Sequence, residues 1–233
     1  MIWFICVCVA MLGGSVTASP VAVSTDSAPN FYESIDLSPL DEVTIWQDGR
    51  LKSFESFARD TMNWISGPRK PGGLEPRIAM MDVMLRPQVW IDQDLYYVKN
   101  RLVRVEIARA LRDSTARPIE ASDERLDRFI DKGLAPRGFL IHPDVRSMLS
   151  RMRTDVMRFA KPVQAIDTAL MVANPDIIRD ELLLVPPVGV DAAQKPWSRI
   201  DAVVEEDPTS PVAVAWTNLQ SAWLAGDVEG VSQ

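Results

Sequence analysis

The sequence has few of the side chains that bind transition metals or act as strong nucleophiles. Its 233 residues contain one histidine, His142, and two cysteines, Cys6 and Cys8. This supply excludes the usual zinc ligand sets, a CxxCH haem attachment and a bis-histidine haem site. A Ser–His–Asp triad would have to use His142, and no G-x-S-x-G sequence accompanies it. The composition predicts no cofactor and no catalytic residue. We expect His142 either to cap the helix that begins at Pro143 or to lie at the surface.

Long apolar runs are also scarce, and the longest covers residues 1–12. Its length suits the core of a signal peptide, since a membrane-spanning helix needs about 20 apolar residues. A small-x-small pattern ends at Ala18, so we predict a signal peptide over residues 1–18 and an extracytoplasmic, periplasmic location. No basic residue precedes the run, which leaves an uncleaved anchor as the alternative. Both cysteines lie in this segment, so the exported chain would hold no disulfide.

Charge is unevenly distributed along this acidic chain, whose net charge is −7. Residues 77–162 carry 17 basic and 12 acidic side chains, whereas residues 163–233 carry 3 and 11. The basic middle is either a set of solvated helix surfaces or a region that meets anionic headgroups or a carboxylate-bearing ligand. An exported acidic chain is not expected to bind nucleic acid.

The pattern of apolar residues predicts a mainly α fold, an irregular multi-helix bundle with a few short strands and Pro-rich loops. Residues 19–40 are rich in Ser, Pro, Ala and Asp and predict a flexible leader. A single helical domain is then expected over residues 41–229. Apolar spacing and capping residues predict helices at 53–65, 77–85, 101–112, 122–133, 143–170 and 210–226, and strands at 43–46 and 182–185.

The most regular pattern is a heptad seam over residues 145–170, with apolar residues spaced alternately four and three apart. Pro162 is expected to kink or split this helix. The seam needs a facing helix, which we expect to be either 101–112 or the C-terminal helix, with a second chain as the alternative. Its members are Val145, Leu149, Met152, Val156, Phe159, Val163, Ile166 and Leu170.

A distinctive segment runs from Trp46 to Asp60, where a strand, an Asp-Gly turn and an amphipathic helix follow each other. Its cations have two interpretations. Either they fix the turn by binding carbonyls or carboxylates, or they form an anion or partner contact together with the start of the helix. The candidate contact motif comprises Gln47, Asp48, Gly49, Arg50, Lys52, Phe54, Phe57 and Arg59.

Residues 47–60 resemble a segment in the extracytoplasmic region of System II cytochrome c assembly proteins, the ResB/CcsA-type fused haem lyases. Ser53 stands where that pattern usually has Pro, and Glu55 where it usually has Asp. Weaker similarity covers residues 86–90, 183–197 and 216–227. The resemblance implies a place on the periplasmic face beside a membrane-bound haem-handling protein. No haem ligand carries over, because the chain lacks the family's Trp-rich loop and membrane-placed histidines.

These observations give three functional hypotheses. The first is a non-catalytic periplasmic module or subunit associated with cytochrome c assembly, a haem delivery complex, as a split or truncated member of that family. Its partners would be membrane-bound cytochrome c assembly proteins, with contact to the membrane surface and helical self-association as further expectations. The alternative is an exported helical scaffold that acts through the 145–170 heptad seam. The third hypothesis is a hydrolase that uses His142.

Overall fold

The computed structural model describes residues 28–187 and 196–232, and the predicted signal peptide over residues 1–18 lies outside these ranges. The predicted mainly α fold is confirmed. Twelve α-helices occur in the described ranges. They are α1 (Ala28–Ser34), α2 (Phe54–Ser66), α3 (Pro76–Leu85), α4 (Arg101–Asp113), α5 (Asp123–Lys132), α6 (Arg137–Ile141), α7 (Pro143–Arg153), α8 (Ala160–Val172), α9 (Pro175–Glu181), α10 (Ile200–Glu206), α11 (Pro211–Ala225) and α12 (Val228–Val231).

Six short strands form three separate two-stranded antiparallel ribbons. Three 3-10 helices lie between the main elements, at Ser38–Glu42, Pro71–Gly73 and Pro87–Trp90. The paired strands are β1 (Thr44–Gln47) with β2 (Arg50–Ser53), β3 (Tyr96–Tyr97) with β4 (Leu134–Ala135), and β5 (Leu183–Val185) with β6 (Ser198–Arg199).

Side-chain caps set the helix boundaries that the sequence predicted. The hydroxyl of Ser53 accepts a hydrogen bond from the Ser56 amide at the start of α2, and Ser122 does the same for α5. Gly133 ends α5 with a φ of 85°, a left-handed conformation that glycine adopts without steric penalty. Local chemistry therefore fixes where these helices begin and end.

The core lies where α2 packs between α3 and α8, and it continues where α4 packs between α5 and α7. Among the C-terminal helices, α11 packs against both α10 and α12, and it also contacts α3. Aromatic and branched side chains fill this interior, since they remove the most apolar area from water. The largest fully buried side chains include Trp223, Phe54, Phe57, Phe129 and Phe139.

The predicted flexible leader over residues 19–40 is wrong for its second half, and residues 19–27 lie outside the described ranges. Helix α1 and the residues after it insert Phe31, Ile35 and Leu37 into the core, where each exposes 8% of its surface or less. Ordered structure therefore begins before Asp41. The Ser-, Pro- and Asp-rich composition concealed a short apolar face, because Phe31 and Ile35 are one helical turn apart.

Helix α4 buries only part of the face that its apolar spacing predicts. Ile107, Ala108 and Leu111 are buried, but Leu102 is 65% exposed, whereas Arg104 is only 6% exposed. The Arg104 guanidinium donates hydrogen bonds to the carbonyl oxygens of Val98, Lys99, Ile130 and Asp131, and its Cζ lies 5.4 Å from the Tyr97 ring centroid. These partners compensate the buried charge.

The heptad seam is not one helix. Helix α7 ends at Arg153 and α8 begins at Ala160, so that Val156 is 72% exposed rather than part of the seam. The Thr154 hydroxyl donates to the Arg151 carbonyl, which helps to end α7. The helix is interrupted before Pro162. Pro162 therefore lies in the first turn of α8, where a missing backbone N–H is tolerated.

The two halves of the seam pack inside the chain on different helices. Helix α7 contacts α4, as predicted for residues 101–112, whereas α8 packs mainly on α2. Val145, Leu149, Val163 and Ile166 expose 1% of their surface or less. These seam residues therefore cannot serve as an interface with a second chain.

Strand β6 and helix α10 lie between the predicted strand at 182–185 and the predicted helix at 210–226, where no element was predicted. Residues 188–195 fall outside the described ranges. Across residues 28–187 and 196–232, no helix has the length and apolar character of a membrane span.

Candidate functional site

The candidate contact motif forms a β-hairpin that leads directly into α2. In its register Trp46 faces Leu51, and Gln47 faces Arg50. Asp48 and Gly49 make the two-residue turn with φ values of 51° and 75°. Positive φ at both central residues is the geometry of a type I′ turn, which matches the right-handed twist of a hairpin. The predicted turn is therefore confirmed.

Lys52 fixes this hairpin to α2. Its Nζ donates to Gln47 Oε1 at 2.9 Å and to Asp60 Oδ2 at 2.9 Å. The side chain of Lys52 is only 24% exposed. Of the two interpretations of the motif cations, the turn-fixing one holds for Lys52, since both of its partners are within the hairpin and the helix that follows.

Two other motif residues do not offer a contact surface. Phe54 and Phe57 expose 2% and 1% of their surface and belong to the core. Of the two roles open for the motif residues, partner contact or definition of the fold, burial supports the second for Phe54 and Phe57. Arg59 is exposed on α2, where its Nη1 lies 3.5 Å from Glu55 Oε1, one helical turn earlier.

Arg50 remains available at the end of the hairpin. Its side chain is exposed and makes no hydrogen bond or ion pair with any residue that the structure describes. Its cross-strand neighbour Gln47 reaches Glu181 on α9, with Nε2 donating to Oε2 at 3.5 Å. An exposed guanidinium without a carboxylate partner keeps its hydrogen-bonding capacity for another molecule.

The outer side of the hairpin carries an aromatic pair that sequence reasoning missed. Trp46 stacks on Trp197, with ring centroids 6.2 Å apart and planes inclined by 16°. Both rings are partly exposed, and Leu51, opposite Trp46 in the ribbon, is 60% exposed. We call Trp46, Leu51 and Trp197 the hairpin surface, and Arg50 lies on the opposite face of the ribbon with Gln47. The sequence offered one signal, a Trp at a strand position whose neighbour Ile45 faces inward.

A second unpredicted feature is a buried carboxylate in the apolar helix α3. Asp82 is 0% exposed and accepts hydrogen bonds from Tyr32 Oη at 2.8 Å and from Arg86 Nε at 2.6 Å. It also accepts from the indole Nε1 groups of Trp90 at 2.9 Å and Trp223 at 2.8 Å. We call these five residues the Asp82 network, and it joins α1, α3, the 3-10 helix at Pro87–Trp90 and α11.

Every charge in the Asp82 network has a partner. Arg86 is 7% exposed, its Nη2 lies 2.5 Å from Asp82 Oδ1, and the same nitrogen donates to Tyr32 Oη at 2.7 Å. Burial raises the pKa of the Tyr32 hydroxyl well above its ordinary value, and the adjacent Asp82 carboxylate raises it further. Tyr32 therefore stays protonated and donates to Asp82, so the network is a structural connection between helices.

His142 caps α7, as predicted. Its Nδ1 accepts from the Asp144 amide at 3.3 Å, and its Nε2 lies 3.1 Å from the Ala116 carbonyl oxygen. A neutral ring protonated at Nε2 satisfies both contacts. In the described part of the chain, no three His, Cys, Asp or Glu side chains come close enough to hold a metal ion.

Two cavities lie away from the hairpin surface. One, of about 350 Å³, is lined by residues that include Trp90, Asp94, Arg125 and Arg128. There Arg125 already pairs with Asp94 at 2.7 Å. The other, of about 470 Å³, lies between α4 and α7. Both are open at the surface, and neither includes a residue of the predicted motif.

Comparison of the chain with protein-family models and with curated proteins gave no match. The association with cytochrome c assembly stays a prediction that rests on the resemblance of residues 47–60 and the weaker segments.

Proposed function

We propose that this chain is a non-catalytic binding module that docks another protein on its hairpin surface. The observation that carries the proposal is the Trp46–Trp197 stack, which lies beside the exposed Leu51 on the same face of the ribbon. Trp is among the residues most enriched at the energetic centres of protein interfaces. A partly exposed aromatic pair with an adjacent leucine also offers apolar area that water solvates poorly.

The hairpin surface is rigid, which favours binding. The type I′ turn fixes the register, and the Lys52 bridge to Asp60 holds the ribbon on α2. The stack holds Trp46 and Trp197 against each other, so little side-chain freedom remains to be lost when a partner covers them. A preorganised surface binds more tightly than a mobile one of equal area.

The proposed partner is a membrane-bound cytochrome c assembly protein, and the resemblance supplies this identity. The segment 183–197, which carries part of the resemblance, meets strand β1 and Trp46, the residue directly before the resembling segment 47–60. Strand β1 packs on β5, and Trp46 stacks on Trp197. Segments that are distant in the chain but adjacent in the fold support a shared role in one contact. The module would act at the periplasmic face and carry no haem itself.

Copurification tests this proposal. A tagged chain would be recovered from solubilised membranes of its native host, and the coeluting proteins identified by mass spectrometry. We expect Leu51→Asp to lose the assembly proteins, because the change alters the hairpin surface without touching the core. Leu102→Asp is the matched control, since Leu102 on α4 is 65% exposed and Leu51 is 60% exposed.

Two results would contradict the proposal. One is equal recovery of the same partners by the Leu51→Asp and Leu102→Asp variants, which would remove the hairpin surface as the contact. The other is recovery of no cytochrome c assembly protein, together with normal cytochrome c maturation after deletion of the gene. That result would remove the partner but leave the binding surface to be assigned.

A further inference from the structure

Two adjacent apolar side chains project into solvent where α7 and α8 are separated. Val156 is 72% exposed and Met157 is 93% exposed. The residues at the two ends of the same loop, Met152 and Phe159, pack against the core. The loop is therefore anchored on both sides, and Val156 and Met157 form its outermost point. We call residues 154–161 the apolar tip.

The backbone of the apolar tip is held in place by its own hydrogen bonds. Asp155 Oδ1 accepts from the Arg158 amide at 3.2 Å, and the Asp155 carbonyl accepts from the Phe159 amide at 3.0 Å. The Asp155 amide donates to the Met152 carbonyl at 3.1 Å. The exposure of Val156 and Met157 thus follows from a formed turn rather than from a loose segment.

Cations flank the two apolar side chains, and two of them have no acidic partner in the described ranges. Arg158 and Lys161 are exposed and make no ion pair with any described residue. Arg153 differs, since it pairs with Asp167, which also binds Arg146 at 2.7 Å. Residues 153–161 carry three basic side chains and one acidic one, although the whole chain has a net charge of −7.

We propose that the apolar tip docks on an anionic lipid bilayer surface. Apolar side chains at the outermost point insert into the interface between headgroups and acyl chains, while adjacent cations meet the lipid phosphates. Charge complementarity selects this occupant, because the exposed charges beside Val156 and Met157 are mainly positive.

The expected energies are those of a weak, reversible contact. Each basic side chain near an anionic surface strengthens binding about fivefold. Replacing both Arg158 and Lys161 by Gln is therefore expected to weaken binding about 25-fold. Met157→Asp is expected to weaken binding about tenfold. The change removes an apolar side chain that would insert into the lipid interface, and it adds a negative charge that the anionic lipids repel.

Vesicle cosedimentation of the full chain tests the proposal. The vesicles would be phosphatidylcholine with and without a phosphatidylglycerol fraction, at low and high salt. Wild-type protein should bind the anionic vesicles, less so at high salt, and Met157→Asp and the Gln pair should bind them more weakly. Ile119→Asp is the matched control, because Ile119 is an exposed apolar residue, at 97%, next to Glu120.

Hydrogen exchange supplies a readout that is specific to the tip and independent of residues 1–27. We expect anionic vesicles to slow exchange in the peptide spanning residues 154–161. Equal vesicle binding by Met157→Asp and Ile119→Asp, or unchanged exchange at the tip, overturns the proposal. Exchange that is slowed by a membrane protein in a neutral detergent but not by lipid vesicles also overturns it, in favour of a protein contact.

Discussion

Replacing Asp82 by Asn is expected to destabilise the protein by about 3 to 5 kcal/mol, the usual penalty for leaving one member of a buried ion pair without its partner. The change keeps the size of the side chain but removes its charge. Asp82 is 0% exposed, and Arg86 beside it is 7% exposed. The guanidinium of Arg86 would remain buried with no carboxylate to neutralise it.

The side-chain amide of Asn also carries an NH₂ group, which is a hydrogen-bond donor. It would face the partners of Asp82, which are themselves all donors. Asp82 Oδ1 accepts from Arg86 and Trp223, and Asp82 Oδ2 accepts from Tyr32 and Trp90. Whichever way the amide of the variant turned, its NH₂ group would meet an indole N–H. A buried donor without an acceptor costs about 1 to 3 kcal/mol, which adds to the loss of the ion pair.

Urea unfolding followed by circular dichroism measures the loss. The midpoint should fall while the slope stays constant, because the change lowers stability without altering the area exposed on unfolding. Glu106→Gln is the matched control. It neutralises an exposed pair with Arg109, whose side chains are 36% and 65% exposed, and should cost less than about 1 kcal/mol.

A double variant distinguishes the energetic contribution of the Asp82–Arg86 ion pair from that of the other hydrogen bonds to Asp82. In Asp82→Leu with Arg86→Met no charge remains, and replacing a buried ion pair alone by apolar residues is often neutral. Here the hydroxyl of Tyr32 and two indole N–H groups would still lose their acceptor, so the double variant should remain destabilised. A loss below about 1 kcal/mol for Asp82→Asn would refute the reasoning, since it would mean that the carboxylate is not buried among these donors.

Three further predictions concern stability. Gly133→Ala should cost about 2 kcal/mol in urea unfolding, because φ at Gly133 is 85° and an added Cβ would lie 2.6 Å from the Arg104 guanidinium carbon. Ser122→Ala should cost about 1 kcal/mol in the same assay, because it removes the N-cap of α5. Tyr32→Phe should remove a pH dependence in the free energy of unfolding. Since folding raises the Tyr32 pKa, its contribution is complete below about pH 10 and is lost as pH rises toward the folded-state pKa, by up to about 1.4 kcal/mol per pH unit.

Each of these predictions has a matched comparison. Gly138→Ala should be neutral or slightly stabilising, since Gly138 is in α6 with nothing within 4 Å of an added Cβ. Equal losses at Gly133 and Gly138 would contradict the steric argument. Ser221→Ala, exposed within α11, should not destabilise. For Tyr32, parallel curves for wild type and variant above pH 10 would contradict the assigned pKa direction.

Helix faces show where prediction from sequence succeeded and where it failed. The spacing of apolar residues located α2 and its buried side correctly, because every position predicted to face inward, from Phe54 to Ile65, is buried. The same argument failed at the start of α4, where Leu102 is exposed and Arg104 is buried. Two of the carbonyl oxygens that accept from the Arg104 guanidinium, those of Ile130 and Asp131, come from α5, which is distant in the chain.

The candidate site divides in the same way. The turn at Asp48–Gly49 and the cap at Ser53 were predictable from the sequence. For Lys52 the sequence left two interpretations open, fixing the turn or contacting a partner, and the structure supports the first. Phe54 and Phe57 were included in the candidate contact motif, with a purely fold-defining role as the alternative, and their burial supports the fold-defining role. The Trp46–Trp197 stack was not predicted, because no local pattern indicates which tryptophan approaches the hairpin.

The sequence by itself determined features that depend on neighbours within a few residues, namely the mainly α fold, the hairpin turn and the helix caps. Those interactions form inside one turn or one ribbon, so residue type and spacing specify them. Only the tertiary structure decided which distant groups meet. Trp223 donates a hydrogen bond to Asp82, which is 141 residues away in the chain. Val156, which the heptad pattern places in the seam, is exposed to solvent. Such choices minimise the free energy of the whole core, in which every buried donor, acceptor and apolar surface competes for partners at once.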